Sequence, residues 1–388
     1  MRILILSYYY EPDLGAGAFR NTALVNALRE NYQEINVDVC TTAPTRYDSY
    51  KKTFNECEKR GNLQIMRFKT SISSSNFIYQ ITSFLIFFWK VKKFVKNKKY
   101  DLVYASSSRL MTAFLGALIS NSKKCHLYLD FRDIFRDVLK EMNMFLFILS
   151  YPILFFIERY TLRKAKKINL ISKGFHNYFS NILPNSNFSF FTNGIDKDFL
   201  HNEIRIKKEN PKIRILYAGN VGFGQSLEMI LPEIAKKLSA SHEFLIIGDG
   251  GKKRYFQSLL KKEKIDNIIL KDPIERKDLI KEYLKADILF LHLNNIKAFE
   301  KVLPSKIFEY AAMNKPILAG VSGYSEYFMK KEITNCSFFS PGNSQEALKR
   351  IFEINLDEKV DRTYFINKFS RDTIMKNFSR DLVLTLDK

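Results

Sequence analysis

The sequence predicts an α/β protein of two domains, each a doubly wound, largely parallel sheet flanked by helices. Three observations carry this. At 388 residues the chain exceeds what one hydrophobic core usually serves. Short apolar, β-branched runs alternate with helical stretches, the pattern of βαβ units. The alternation then starts afresh after a polar stretch near the middle of the chain.

In the first half, strands are expected at RILILS (2–7), INVDV (35–39), LQIMRF (63–68), DLVYAS (101–106), CHLYLD (125–130), KINLIS (167–172) and FSFFTN (188–193). Helices lie between them, the first beginning near Ala18. The second series is RILYAG (214–219), EFLIIG (243–248), NIIL (267–270), ADILFL (286–291), KPILAG (315–320) and CSFFS (336–340). The boundary falls after FTNGID, and the polar, proline-containing HNEIRIKKENPK (201–212) reads as the linker. The tail from about residue 361 spaces Phe, Ile and Leu as a helix does.

The apolar fraction of 46% is that of a globular protein. Cys40, Cys57, Cys125 and Cys336 are scattered, with no CxxC pair and no Cys/His cluster at zinc spacing, so a reducing cytosol is expected and no metal. MRILILSYYYEP reads as a first strand leading into a loop, since its apolar run is too short for a signal peptide. A net charge of +21 favours an anionic partner: nucleic acid, anionic lipid or a phosphorylated substrate. A lysine-biased genome is the bland explanation. Two apolar segments point to lipid. Residues 77–88 and 142–157 are each followed by a basic flank and are too short or interrupted to span a bilayer, which suits helices lying in the interface. Buried core helices are the alternative for both.

Open α/β sheets bind ligands beyond the C-terminal ends of their strands, and several features fall there. Gly15 and Gly17 follow the first strand and precede a helix, where small residues let backbone N–H groups approach an anion. Gly219, Asn220, Gly222 and Gln225 lie in a glycine-rich turn after the first strand of the second half; the spacing is not that of a dinucleotide fingerprint. Gly248 opens a third glycine turn, which a plain loop explains equally well. Pro304 and Ser305 read as a helix opening, and Lys306 places a cation in the first turn, where a structural helix favours an acid. That placement makes most sense if an anion binds there. Glu309, one turn on, suits sugar hydroxyls. In LDFRDIF, Asp130 and Asp133 are candidates to orient or deprotonate an acceptor, with an exposed helix cap as the rival, and Arg132 is a candidate partner for them or for an acceptor diphosphate. His126 reads as core, and His292 borders a strand end.

These pieces resemble the retaining glycosyltransferases of family 4, which have the GT-B fold. The likeness is carried by SYYYEPDLGAGAFR, LDFRDIF, ERYTLRKAKKINLISKGF, TNGID, LYAGNVGFGQSLE, LIIGDG and above all LPSKIFEYAAMNKPILAG. The branch most like it contains O-antigen and capsule enzymes of the L-fucosamine transferase (WbuB-like) kind. The resemblance implies two Rossmann-like domains facing a cleft: residues 1–200 bind the acceptor, 201–365 bind the nucleotide sugar, and a C-terminal helix in 366–388 crosses back to the first domain. Glu309 would hold the donor ribose, and the backbone around Pro304, Ser305 and Lys306 would face the donor phosphates, with Gly219, Asn220, Gly222, Gln225 and Gly248 beside them in the donor site. Glu300 would stand for the first member of the family's paired glutamates, although one extra residue separates it from Glu309. The family's Arg and Lys after the first strand of the second domain are replaced by Asn220 and Gln225, which leaves Lys306 as the first candidate to stabilise the leaving diphosphate. Gly15 and Gly17 would lie against donor phosphate or acceptor, Arg20 and Arg132 against the acceptor, and Asn193-Gly194 at the hinge.

The implied activity is metal-independent, retaining transfer of an N-acetylated amino sugar such as L-FucNAc, with no cofactor beyond the donor. A UDP-sugar donates to a polyprenyl-diphosphate-linked saccharide in O-antigen or capsule synthesis. The enzyme would be cytoplasmic and peripheral on the anionic inner face of the membrane. Rival readings are a nucleotide-sugar epimerase of the same architecture, an inactive partner subunit, and a basic nucleic-acid-binding protein; for the last, the sequence holds no recognised module.

Overall fold

In the computed structural model, which describes residues 1–44, 53–70, 77–107, 110–200, 211–358 and 360–386, the chain divides into two units. The first comprises Met1–Asn193 and Arg371–Lys388, and the second Gly194–Ser370.

The first unit is built on β1 (Arg2–Leu6), β2 (Asn36–Thr42), β3 (Cys57–Arg60), β4 (Leu63–Phe68), β5 (Leu102–Ser107), β6 (His126–Phe131), β7 (Lys167–Leu170) and β8 (Phe188–Ser189). They form one sheet in the order β3-β4-β2-β1-β5-β6-β7-β8. Among the described residues the pairings are parallel except β3 with β4. The apolar runs are strands because both faces of a parallel sheet are covered: β5 is buried along its whole length. β3 has no counterpart among the expected strands. CEKR is a short, charged, largely exposed edge strand, a composition that edges use to discourage pairing with other chains. The helix Arg371–Leu384 packs with the helix Ala16–Asn31, placing Met375, Phe378 and Leu382 in one core with Leu24, Leu28, Tyr104 and Tyr128.

The second unit contains β9 (Ile213–Asn220), β10 (His242–Asp249), β11 (Ile268–Lys271), β12 (Ile288–His292), β13 (Ile317–Gly320) and β14 (Cys336–Phe339). Their order is β11-β10-β9-β12-β13-β14 and the pairings are parallel. In sequence rank this is 3-2-1-4-5-6, the doubly wound order, whose direction reverses between β9 and β12. The C-terminal ends of those two strands therefore flank the natural ligand position.

The unit boundaries fall at 193/194 and 370/371, not at 200 and 365. Residues after Gly194 belong to the second unit because Ile195 N–H donates to the Phe369 carbonyl at 2.8 Å, Asp196 pairs with Arg276, and Phe199 packs on Tyr283. Phe365 and Phe369 stay there too, packed around Phe308. Residues 201–210 of the expected linker lie outside the described residues.

Candidate functional site

In the second unit the glycines work by close approach. Gly248 pairs with Gly219 across β10 and β9, and a Cβ on Gly248 would lie 1.8 Å from the Gly219 carbonyl oxygen. The strand ends meet only because both residues lack side chains. The chain then folds back: Val221 N–H donates to Asp249 O at 2.9 Å, and Ser226 N–H to Gly222 O at 3.1 Å. A Cβ on Gly222 would strike the Asn220 amide, whose Nδ2 donates to Gln225 Oε1 at 2.8 Å. The two residues standing where the resemblance expects Arg and Lys thus bond each other and bring no charge.

The charge comes from the Lys306–Ala312 helix. The Lys306 side chain passes over Gly219, where an added Cβ would lie 3.3 Å from its Cε. Its Nζ donates to Glu309 Oε2 at 2.8 Å, and Tyr283 Oη donates to the same oxygen at 3.1 Å. Burial and the neighbouring Glu309 carboxylate raise the Tyr283 pKa well above its usual value, so the phenol keeps the proton it donates. Tyr310 from the same helix accepts from Ala218 N–H at 3.1 Å and ties the helix to β9. The structure therefore brings Gly219, Asn220, Gln225, Lys306 and Glu309 to the switch-point edge of this sheet.

Two expectations need correction here. The helix opens at Lys306, later than Pro304, and Ser305 makes no side-chain cap bond. The amides of Ile307 and Phe308 already bond to Pro304 O and Ser305 O, so this short helix offers an anion fewer free N–H groups than a helix start implies. Lys306 also has a local counter-ion, since Glu309 lies one turn on; an anion is not required to explain its position. Glu300 lies on the 3-10 turn Lys297–Lys301, exposed, with its backbone against Gly323. Phe299 of that turn packs on Phe223 of the glycine loop.

His292, at the end of β12, is buried between Phe290 and Phe339. Gly342 N–H donates to its Nε2 at 3.0 Å, so its Nδ1–H donates to Gln225 O at 2.6 Å. The imidazole acts as a strut under the glycine loop. Lys253, which no local pattern sets apart from the chain's other lysines, donates to Gly248 O at 2.7 Å and Lys271 O at 3.1 Å and closes the ends of β10 and β11.

In the first unit the structure separates residues that LDFRDIF places side by side. Asp130 and Arg20 are fully buried and pair with each other, Nε to Oδ2 at 2.8 Å and Nη2 to Oδ1 at 2.9 Å. Asn169 Nδ2 donates to Asp130 Oδ1 at 2.7 Å, the Tyr104 hydroxyl lies 2.9 Å from Oδ2, and Arg20 also donates to the Phe191 and Thr192 carbonyls. Burial opposes the charge on Asp130, but the Arg20 guanidinium holds its carboxyl below the usual carboxylate range. This corrects the catalytic assignment of Asp130 and the acceptor assignment of Arg20. Their groups are consumed in joining β5, β6 and β7 to the helix that follows β1.

Arg132 and Asp133 are placed differently. The Arg132 guanidinium lies directly on Gly17, where a Cβ would sit 2.0 Å from Nη1. Its Nε is buried without a hydrogen-bond partner among the described residues. Gly15 caps the Ala16–Asn31 helix with no side-chain bond and no acid in the first turn. Burial pushes the Asp133 carboxyl up to about 7 against the pull of Arg132. A half-buried carboxyl poised at neutrality, beside an under-satisfied guanidinium and an open helix start, can take a proton from a group that the guanidinium positions.

Residues 196–370 match the protein-family model described as "Glycosyl transferases group 1". A curated relative, the "Putative colanic acid biosynthesis glycosyl transferase WcaI" of Escherichia coli (strain K12), is 26% identical over 192 residues, covering 48% of this chain and 46% of that protein. The similarity thus spans about half the length of that relative. Among solved structures, Anabaena Alr3699/HepE in complex with UDP and glucose superposes with a TM-score of 0.67 at 15% identity, covering 99% of both chains. WaaG, a glycosyltransferase involved in lipopolysaccharide biosynthesis, gives 0.64 at 13% identity, covering 99% of this chain and 97% of that one. Residues 196–370 are thus similar to group 1 glycosyl transferase domains, in a chain with the two-unit α/β architecture of the GT-B fold.

Proposed function

We propose that the protein is a retaining glycosyltransferase of family 4, in the O-antigen and capsule branch. It moves a sugar from a UDP-sugar to a polyprenyl-diphosphate-linked saccharide at the inner face of the cytoplasmic membrane. The observation that carries this reading is the Lys306–Glu309–Tyr283 cluster laid over Gly219 at the strand ends of the second unit. The UDP and glucose named for the Anabaena relative support the choice of donor.

In this reading Glu309, oriented by Tyr283 and Lys306, accepts hydrogen bonds from the donor ribose. The bond between the anomeric carbon and the diphosphate breaks, and a bond from the acceptor oxygen forms on the same face of the sugar. Negative charge growing on the leaving diphosphate is met by the Lys306 ammonium and the amides of Gly222, Phe223 and Gly224 in a loop fixed in advance by the His292 strut. The acceptor hydroxyl gives its proton to Asp133, and Arg132 faces the acceptor diphosphate. Glu300 contacts the donor sugar, an assignment that rests on the resemblance alone.

A panel of UDP-sugars, scored for UDP release with a lipid-diphosphate saccharide, tests the activity. Glu309→Ala tests the site. Losing a charged hydrogen-bond acceptor of about 1.5–3 kcal/mol should weaken donor binding roughly 10- to 100-fold. Wild-type single-turnover transfer by that variant would remove Glu309 from the donor site.

A further inference from the structure

Two crossover helices of the first unit share an unusual surface. The helix Phe77–Val95 connects β4 to β5, and Met144–Lys164 leads into β7. Phe77–Val95 seats Phe84, Phe87, Val91 and Val95 in the domain but leaves Ile81, Leu85 and Trp89 exposed at intervals of four, and the same line runs on into Lys93. On Met144–Lys164, Phe145, Ile148, Leu149, Pro152, Ile153 and Phe156 are exposed at helical spacing, Met144, Tyr151 and Phe155 widen that apolar face on one side, and it runs on to Arg159, Arg163 and Lys164. Phe145, Leu149 and Phe156 are 78%, 69% and 70% exposed, and Trp89 64%. Core helices do not expose such stripes. Each helix thus has an apolar first half and a basic end, in the same chain direction.

Topology puts both helices on one face of the sheet, with the helix Leu110–Lys123 packed against each of them. The chain enters both helices after leaving the C-terminal ends of strands, and both connections step in one direction across the sheet, so right-handed crossover puts them on one face. Met144–Lys164 ends two residues before β7 begins. At about 1.5 Å per residue it is about 31 Å long, against about 20 Å for six-residue β6, so its apolar start overhangs the C-terminal edge of the sheet. Its other half is pinned. Arg136 donates to the buried Glu158 at 2.7 Å, with its guanidinium over the rings of Tyr151 and Phe155. Arg136 lies one turn beyond Asp133, so the overhang and the Arg132–Asp133 loop share one edge of the unit.

Among the described residues Met144–Lys164 is the helix long and apolar enough to cross a membrane. The exposed stripe argues otherwise: from Phe145 to Phe156 it runs about 17 Å, about half a hydrocarbon core, and Glu158, Thr161 and Leu162 are buried in the protein. We infer that these two stripes form one platform that lies in the interfacial layer of an anionic bilayer, with the Arg132–Asp133 edge at headgroup level and the basic ends on lipid phosphates. The purpose of the contact rests on the glycosyl-transfer reading; the contact itself does not.

Trp89 is the chain's single tryptophan and reports directly. Vesicles of phosphatidylcholine with phosphatidylglycerol should shift its emission to the blue, and lipids carrying a nitroxide near the headgroup should quench it more than lipids labelled at the chain end. Lys92→Glu with Lys93→Glu should weaken binding by at least about five-fold per charge, from about 1 kcal/mol each. Phe145→Ser, Leu149→Ser and Phe156→Ser combined should abolish it while leaving thermal unfolding unchanged, because these side chains are outside the core. Glu309→Ala should bind vesicles normally, so a failed transfer assay with intact binding counts against the enzymatic reading alone. An unshifted Trp89, equal binding to pure phosphatidylcholine, or strongest quenching from the bilayer centre would overturn the inference. So would self-association without vesicles that the triple substitution reverses, which would make a second copy the occupant of the face.

Discussion

Replacing His292 by phenylalanine should remove a pH dependence that the fold imposes on the second unit. The imidazole is 1% exposed, and burial lowers its pKa to about 4, with the hydrogen bond to Gln225 opposing less strongly. Protonation would also set a second N–H against the Gly342 amide that now donates to Nε2. In the unfolded chain the group titrates near 6.5, so between the two values the unfolded state holds more protons and stability rises with pH. The stabilisation is complete above about pH 6.5 and is lost as the pH falls through about 4. A difference of about 2.5 units corresponds to about 3 kcal/mol, of which about 2 kcal/mol is gone by pH 5. Urea unfolding of the second-unit transition at pH 7.5 and pH 5.0 measures this. The wild type should lose about 2 kcal/mol more than His292→Phe over that interval, and Asp133, shifted in the opposite sense, cancels because both proteins contain it. At pH 7.5 the variant should already be weaker by about 1–3 kcal/mol, since Gly342 N–H and Gln225 O lose their partner. Equal losses in the two proteins, or a His292 ring proton that titrates near 6.5 by NMR, would refute the reasoning.

Asp133→Asn should lower transfer by about 100-fold and flatten its pH profile, because the wild-type carboxyl must be ionised to act and its pKa of about 7 places the rise in rate near neutrality. A profile unchanged in shape would assign Asp133 to structure. Arg20→Met strands a buried Asp130 carboxylate and should cost about 3–5 kcal/mol in thermal or urea unfolding, with Arg20→Met/Asp130→Asn recovering part of the loss; a single variant of wild-type stability would contradict the buried pair. Gly248→Ala places a Cβ 1.8 Å from the Gly219 carbonyl oxygen, so β9 and β10 must part. A loss of about 1–3 kcal/mol or more in unfolding free energy, seen as a lowered melting temperature, should accompany weaker UDP binding in calorimetry.

How much was legible follows from range. The parallel strands were readable because strands buried on both faces are continuous apolar runs, as in LVYASS of β5. β3 was not, because an edge strand of charged residues carries the composition of a loop. The PSKIFE helix was recognisable from its own residues, yet nothing local announced Tyr283, an aromatic in an otherwise ordinary helix that completes the Glu309 cluster from 26 positions away. The sequence alone assigned Asp130 and Asp133 to one task because they are three residues apart.

The local code determined the two parallel-sheet units, the glycine turns at strand ends and the two apolar segments with basic flanks, since each depends on neighbours in the chain. Tertiary structure decided which charges are available. Arg20 reaches Asp130 across 110 residues and removes both from solvent, while Arg132 settles on Gly17 and leaves Asp133 near neutrality. Burial and ion pairing are set by what the fold brings within a few ångströms, and adjacency along the chain does not encode that distance.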